Sequence, residues 1–128
     1  MAQVRAEIGE TDYAVALSAG NHLLTSDEPA SLGGQDAGPG PYELLLASLG
    51  ACTAITLRMY AKRKQWTVRS VVVDLRFERE HNVARIERSI AIEGDVTDEQ
   101  RSRMLEIAEK TPVTLTLKAG TPIHTRLA

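Results

Sequence analysis

Residues 44–57, LLLASLGACTAITL, decide how the rest of the chain is read. The run has no charged residue and is apolar nearly all round, which predicts a helix buried on most faces rather than an amphipathic surface helix. Pro41 suits the first helical turn, where its missing N–H is not needed. Arg58, Lys62, Arg63 and Lys64 crowd the other end, where cations complement the carbonyl pole of the helix dipole. One long helix from Tyr42 to about Lys64 is therefore expected as the centre of the core. A bilayer span takes roughly 20 apolar residues, so the uncharged run is short for one.

On the N-terminal side, residues 26–41, SDEPASLGGQDAGPGP, have no period and are dense in Gly, Pro, Ser and Asp, which marks a loop needing positive φ at several residues. Before it, Val4, Ala6 and Ile8, then Tyr13, Val15 and Leu17, then His22 to Leu24 read as short antiparallel strands. On the C-terminal side, Val71, Val73, Leu75 and Phe77 alternate strictly, and Ile86, Ile90 and Ile92 alternate beyond His81-Asn82, predicting a hairpin with long arms. Thr97 with Gln100 resembles a capping box, and Met104, Leu105, Ile107 and Ala108 give a second helix its stripe. That helix is expected to stop near Lys110, because Pro112 disfavours helical geometry before it. A short turn through Val113 to Leu117 and a last strand at Ile123, Thr125 and Leu127 complete an α+β fold in one domain, 1–128.

Composition narrows the function. The 128 residues are 43% apolar and 25% charged, as in folded proteins, while 4% aromatic content makes a thin core that favours an oligomer. A net charge of −2 supplies no general field for phosphate backbones, so nucleic acid is not an expected partner. Residues 1–57 carry one cation, Arg5, against seven acids, whereas the remainder carries fourteen cations against ten, so the two parts are complementary. The start lacks a basic segment followed by an apolar run, and one cysteine fits a reducing compartment, so a cytoplasmic location is expected.

Few residues remain for chemistry. His22, His81 and His124 are far apart, with no CxxC or HExxH, so no metal is expected. The glycine loop lacks the lysine of a P-loop and the GxGxxG of a dinucleotide site, so neither phosphate-bearing cofactor is implied. Ser48 has no GxSxG around it. Cys52, the only thiol, is left, with Leu45, Ser48, Leu49, Thr56 and Met59 on or near its face. As a free cysteine its ordinary role is that of a small buried hydrophobe. Reactivity requires the thiolate, and mid-helix that requires a cation or donors brought from another segment.

Residues 33–61, GGQDAGPGPYELLLASLGACTAITLRMYA, strongly resemble the signature of the OsmC/Ohr family of thiol-dependent peroxidases. The likeness continues in order through the hairpin, the Thr97 helix and the expected terminal strand. The resemblance implies an intertwined homodimer of α+β subunits with a buried central helix and two interfacial sites. It places Cys52 at the position that attacks a peroxide O–O bond to give a sulfenic acid, with an arginine and a glutamate orienting the thiol. The glutamate follows the proline before the helix, a position held here by Tyr42 with Glu43 next. The arginine comes from the N-terminal segment, which offers Arg5.

The second, resolving cysteine of the family precedes Pro-Val after the second helix, where AEKTPVTLTL puts Thr111, and Thr114 stands where the related branch commonly has histidine. The resemblance therefore implies one-cysteine reduction of organic hydroperoxides by Cys52, needing an external thiol reductant and no cofactor, with the apolar surroundings favouring alkyl over hydrogen peroxide. The alternative is a non-catalytic family member binding a small apolar ligand at the dimer interface.

Overall fold

The computed structural model describes residues 1–128, which group into two units, Met1–Leu45 and Leu46–Ala128. The first unit holds β1 (Arg5–Ile8), β2 (Val15–Ala19) and β3 (His22–Ser26) in a three-stranded antiparallel sheet of that order. Its register pairs Ile8 with Val15 and Leu17 with Leu24, so the predicted apolar positions meet across the strands.

The loop that follows is organised by Asp27 more than by its glycines. The buried Asp27 carboxylate accepts from the N–H groups of Glu28 at 2.7 Å, Gln35 at 3.1 Å and Ala37 at 3.1 Å. These donors, the Ala37 N–H foremost, hold its pKa below the ordinary 3.8. Positive φ occurs at Gly33 and Asp36, while Gly38 is needed for space: a Cβ there would lie 2.0 Å from the Thr25 carbonyl oxygen. Positive φ, expected at several residues of this loop, is thus found at two, and close approach accounts for Gly38.

Helix α1 runs Pro41–Lys64, with proline in its first turn and Lys62, Arg63 and Lys64 in its last. In the second unit it is followed by β4 (Thr67–Glu80) and β5 (Val83–Asp95), an antiparallel pair turning at His81-Asn82. Both turn residues have φ near +60°, the geometry that matches the right-handed twist of a two-residue hairpin. Helix α2 (Asp98–Ala108) opens with the predicted capping box: Gln100 N–H donates to Thr97 Oγ1 at 3.0 Å and Thr97 N–H to Gln100 Oε1 at 2.9 Å. Leu57, Ala61, Val68, Met104 and Ala108 form the buried core, with Val71, Ile90, Ile92 and Ile107 packed against it.

Four expectations change. The burial of α1 is one-sided: only Leu49, Thr53, Leu57 and Ala61, four apart, are buried, because within the chain the core meets one stripe of the helix. By length and composition α1 contains a stretch long and apolar enough to cross a bilayer, more so than the 44–57 run suggests, but this stripe packs it against a protein core. Residues after Pro112 form a third helix, α3 (Pro112–Ala119), not a short turn, since Thr111 caps it and proline fits its start. The terminal strand does not form: residues 120–128 have no strand, and Ile123 and Leu127 stand exposed without a ladder to join.

Candidate functional site

The buried stripe of α1 carries one polar residue, Thr53, which is wholly inaccessible. Its Oγ1 donates back to the Leu49 carbonyl at 2.7 Å, the bond by which a threonine hides its hydroxyl inside a helix. Opposite stands Arg88. On β5 the inward row reads Ile86, Arg88, Ile90, Ile92, so a guanidinium occupies a place that the alternation gives to a hydrocarbon. Gly50 helps the helix come this close, since a Cβ there would sit 2.8 Å from Leu75 Cδ1, and Leu75 is the β4 partner of Arg88.

Arg88 ties four elements together. Its Nη1 donates to Thr53 Oγ1 and Thr114 Oγ1, both at 3.0 Å, and its Nη2 donates to the Ala108 carbonyl at 3.1 Å. Thr114 Oγ1 donates to the same carbonyl at 3.2 Å. A hydroxyl has one proton to give, so in the 2.6 Å contact between Thr111 Oγ1 and Thr114 Oγ1 the donor is Thr111. Thr111 in turn accepts from the Thr114 N–H as N-cap of α3. No buried side-chain polar atom is left unpaired. A satisfied network of this kind rigidifies the junction of α1, β5, α2 and α3.

Beyond the network, Arg88 Nη2 lies 3.7 Å from Glu109 Oε1, and Glu109 also bonds Lys118. The Lys118 hydrogen bond, with both cations nearby, holds the Glu109 carboxyl below its ordinary pKa of 4.5. Sequence reading missed Arg88. The signal was present, as the single charge interrupting an otherwise apolar inward row.

Cys52 follows a different side of α1. Its thiol is free and half-buried. Ser48 and Thr56 lie one turn away on either side, and Ile55 and Met59, at three and seven residues on, are 59% and 61% exposed. Arg5 and Glu43, the charged residues singled out with it, lie in the first unit, whereas Cys52 lies in the second. Glu43 Oε1 accepts from the Gly40 N–H at 2.9 Å, the reach-back half of a capping box at the start of α1. Arg5 stands on the exposed edge strand β1, in register with Ser18. His22 falls in β3, His81 in the hairpin turn and His124 in the terminal segment, and no three His, Cys, Asp or Glu side chains are grouped to hold a metal.

The family of OsmC-like proteins matches this chain over residues 33–126. No curated protein matches it. Among solved structures it is similar to an OsmC-like protein from Mycoplasma pneumoniae, with 21% identity, 92% of this chain and 87% of that one covered, and a TM-score of 0.81. It is also similar to an organic hydroperoxide resistance protein from Elizabethkingia anophelis, with 21% identity, 91% and 87% coverage and a TM-score of 0.68. A third, from Legionella pneumophila and also an organic hydroperoxide resistance protein, has 17% identity, 92% and 89% coverage and a TM-score of 0.65.

Proposed function

The chain belongs to the OsmC-like protein family, and from that premise we propose that Cys52 reduces organic hydroperoxides as a one-cysteine thiol peroxidase. The observation that carries this reading is the placement of the only thiol: half-buried inside the family-matched segment, on the side of α1 where Ile55 and Met59 are exposed. The thiolate attacks the distal peroxide oxygen; the O–O bond breaks, sulfur becomes a sulfenic acid and the alkoxide leaves as the alcohol after taking a proton. One external thiol then forms a mixed disulfide with release of water, and a second returns Cys52 to the thiolate with an external disulfide as product. The exposed apolar side chains beside Cys52 favour an alkyl group on the peroxide.

The same exposed face supports a homodimer in which a second copy covers Ile55 and Met59, with residues 1–128 acting as one domain in the cytoplasm. Arg5 and Glu43 are the proposed activating cation and orienting carboxylate. Glu43→Gln keeps an oxygen for the Gly40 N–H but removes the charge, so it separates a catalytic role from the cap.

Cumene hydroperoxide is expected to convert wild-type Cys52 to a trappable sulfenic acid far faster than it oxidises a free thiol, with the mass change absent in Cys52→Ser. A rate no greater than that of free cysteine ends the peroxidase reading. A second reading has its own support. Thr111, at the resolving position, is fully buried and committed to the polar network, which suits a non-catalytic protein that binds a small apolar ligand. The pH dependence of Cys52 alkylation discriminates: a midpoint near the free-cysteine value of about 8.5 favours the binder, and a clearly lower one the peroxidase.

A further inference from the structure

A cavity of about 440 Å³ opens beside the Arg88 network. Leu49, Ile86 and Leu117 supply its apolar lining, and Arg88 and Lys118 supply donors. Its electrostatics are unbalanced in an informative way. The Arg88 side chain is only 12% exposed, yet the three oxygens it bonds directly are neutral: two hydroxyls and a carbonyl. None of those bonds uses its Nε–H. A desolvated cation is costly without a close counter-ion. The one carboxylate near the guanidinium is Glu109, 3.7 Å away, 59% exposed and bonded more closely to Lys118. Glu87 also lines the cavity, but it is engaged by Arg85 at 3.1 Å. Glu109 is thus a solvent-exposed counter-ion between two cations at the edge of an apolar hollow, farther from Arg88 than from Lys118 and open to exchange with an external carboxylate.

We propose that this cavity binds a small monocarboxylate with a short hydrocarbon tail, its carboxylate taking the place of Glu109 between Arg88 and Lys118 and its tail lying against Leu49, Ile86 and Leu117. The site combines a fixed guanidinium and an exposed ammonium for the head group with aliphatic walls for the tail, the usual division of a small-molecule pocket. Nothing in it depends on the thiol, so it stands whether or not Cys52 turns over peroxide.

Titration of the full chain with sodium hexanoate, and with hexanol as a neutral match, tests it. Hexanoate is expected to bind saturably, about tenfold or more tightly than hexanol, because the charge-assisted contacts to Arg88 and Lys118 require the anion. Two exposed substitutions read the site without disturbing the core. Glu109→Gln removes the internal competitor and is expected to tighten hexanoate by about threefold, while Lys118→Ala weakens it by about threefold, both effects shrinking as salt rises. In the same titration the methyl resonances of Leu49, Ile86 and Leu117 shift, and Cys52→Ser leaves the affinity unchanged. Equal affinity for hexanoate and hexanol, no binding of either to wild type and Glu109→Gln, or insensitivity to both substitutions overturns the proposal.

Discussion

Cys52 and Thr53 are neighbours in the chain and live in different surroundings. Each step along a helix turns the side chain by about 100°. That one step takes α1 from a stripe sealed against the core to the side that carries the Cys52 thiol and the exposed Ile55 and Met59. On the Thr53 side every polar atom is paired and the contacts serve to hold four elements together. On the Cys52 side the chain invests little of its own packing. The contrast teaches that stability and the proposed chemistry are assigned to different faces of one helix, so substitutions on the two faces separate them.

The largest test of that separation is a truncation on each face. Leu57 is fully buried in the core, and Leu57→Ala is expected to cost about 2–5 kcal/mol of unfolding free energy by urea denaturation. Met59→Ala, two residues on but exposed, is expected to change it by less than about 0.5 kcal/mol at protein concentrations where the chain is monomeric. Comparable losses at both positions erase the distinction between the faces. A loss for Met59→Ala that grows with protein concentration sharpens it, because the open face is then the dimer contact.

Next in size is the polar network. Arg88→Met keeps an unbranched chain in the inward row but strips donors from Thr53, Thr114 and Ala108, with an expected cost of about 1–3 kcal/mol. In a double-mutant cycle with Thr114→Val the two changes are expected to couple by about 0.5–3 kcal/mol, since they share one hydrogen-bonded unit. Additive effects break the claim that the network acts as a unit.

What the sequence disclosed follows the same division. The α1 run, the alternating arms of the hairpin and the Thr97–Gln100 box are local patterns whose periods or spacings state the element directly, and each appears in the structure close to its expected bounds. Features that depend on distant partners were harder to read. Helix α3 replaces a short turn expected through Val113 to Leu117, and Thr111-Pro112 is a sound start signal for it once Thr111 is seen as a cap. The terminal alternation of Ile123, Thr125 and Leu127 has the strand period, but a strand exists only where a ladder partner accepts it. The one-sided burial of α1 could not be seen in a run that is apolar on every side. Arg88 belongs to the same class: its position in the row is legible, whereas the three hydroxyl and carbonyl oxygens it reaches come from segments up to 35 residues away.

The smallest expected effect tests the edge of the network, where the sealed side meets solvent. Glu109 is held as a carboxylate by the Lys118 hydrogen bond, with further help from the charge of Arg88, so its folded-state pKa lies below its ordinary value of 4.5. A group depressed in this way adds stability that is fully present above its unfolded pKa and is lost as pH falls through the folded one. Both partners are more than half exposed, so solvent and salt screen most of the gain. Wild-type stability is therefore expected to decline more steeply than that of Glu109→Gln as pH falls below 4.5, and added salt is expected to bring the two curves together. Superimposable acid limbs at low salt mean that Glu109 is not held by the two cations in solution, and the rim of the cavity is then open to any anion without a competitor to displace.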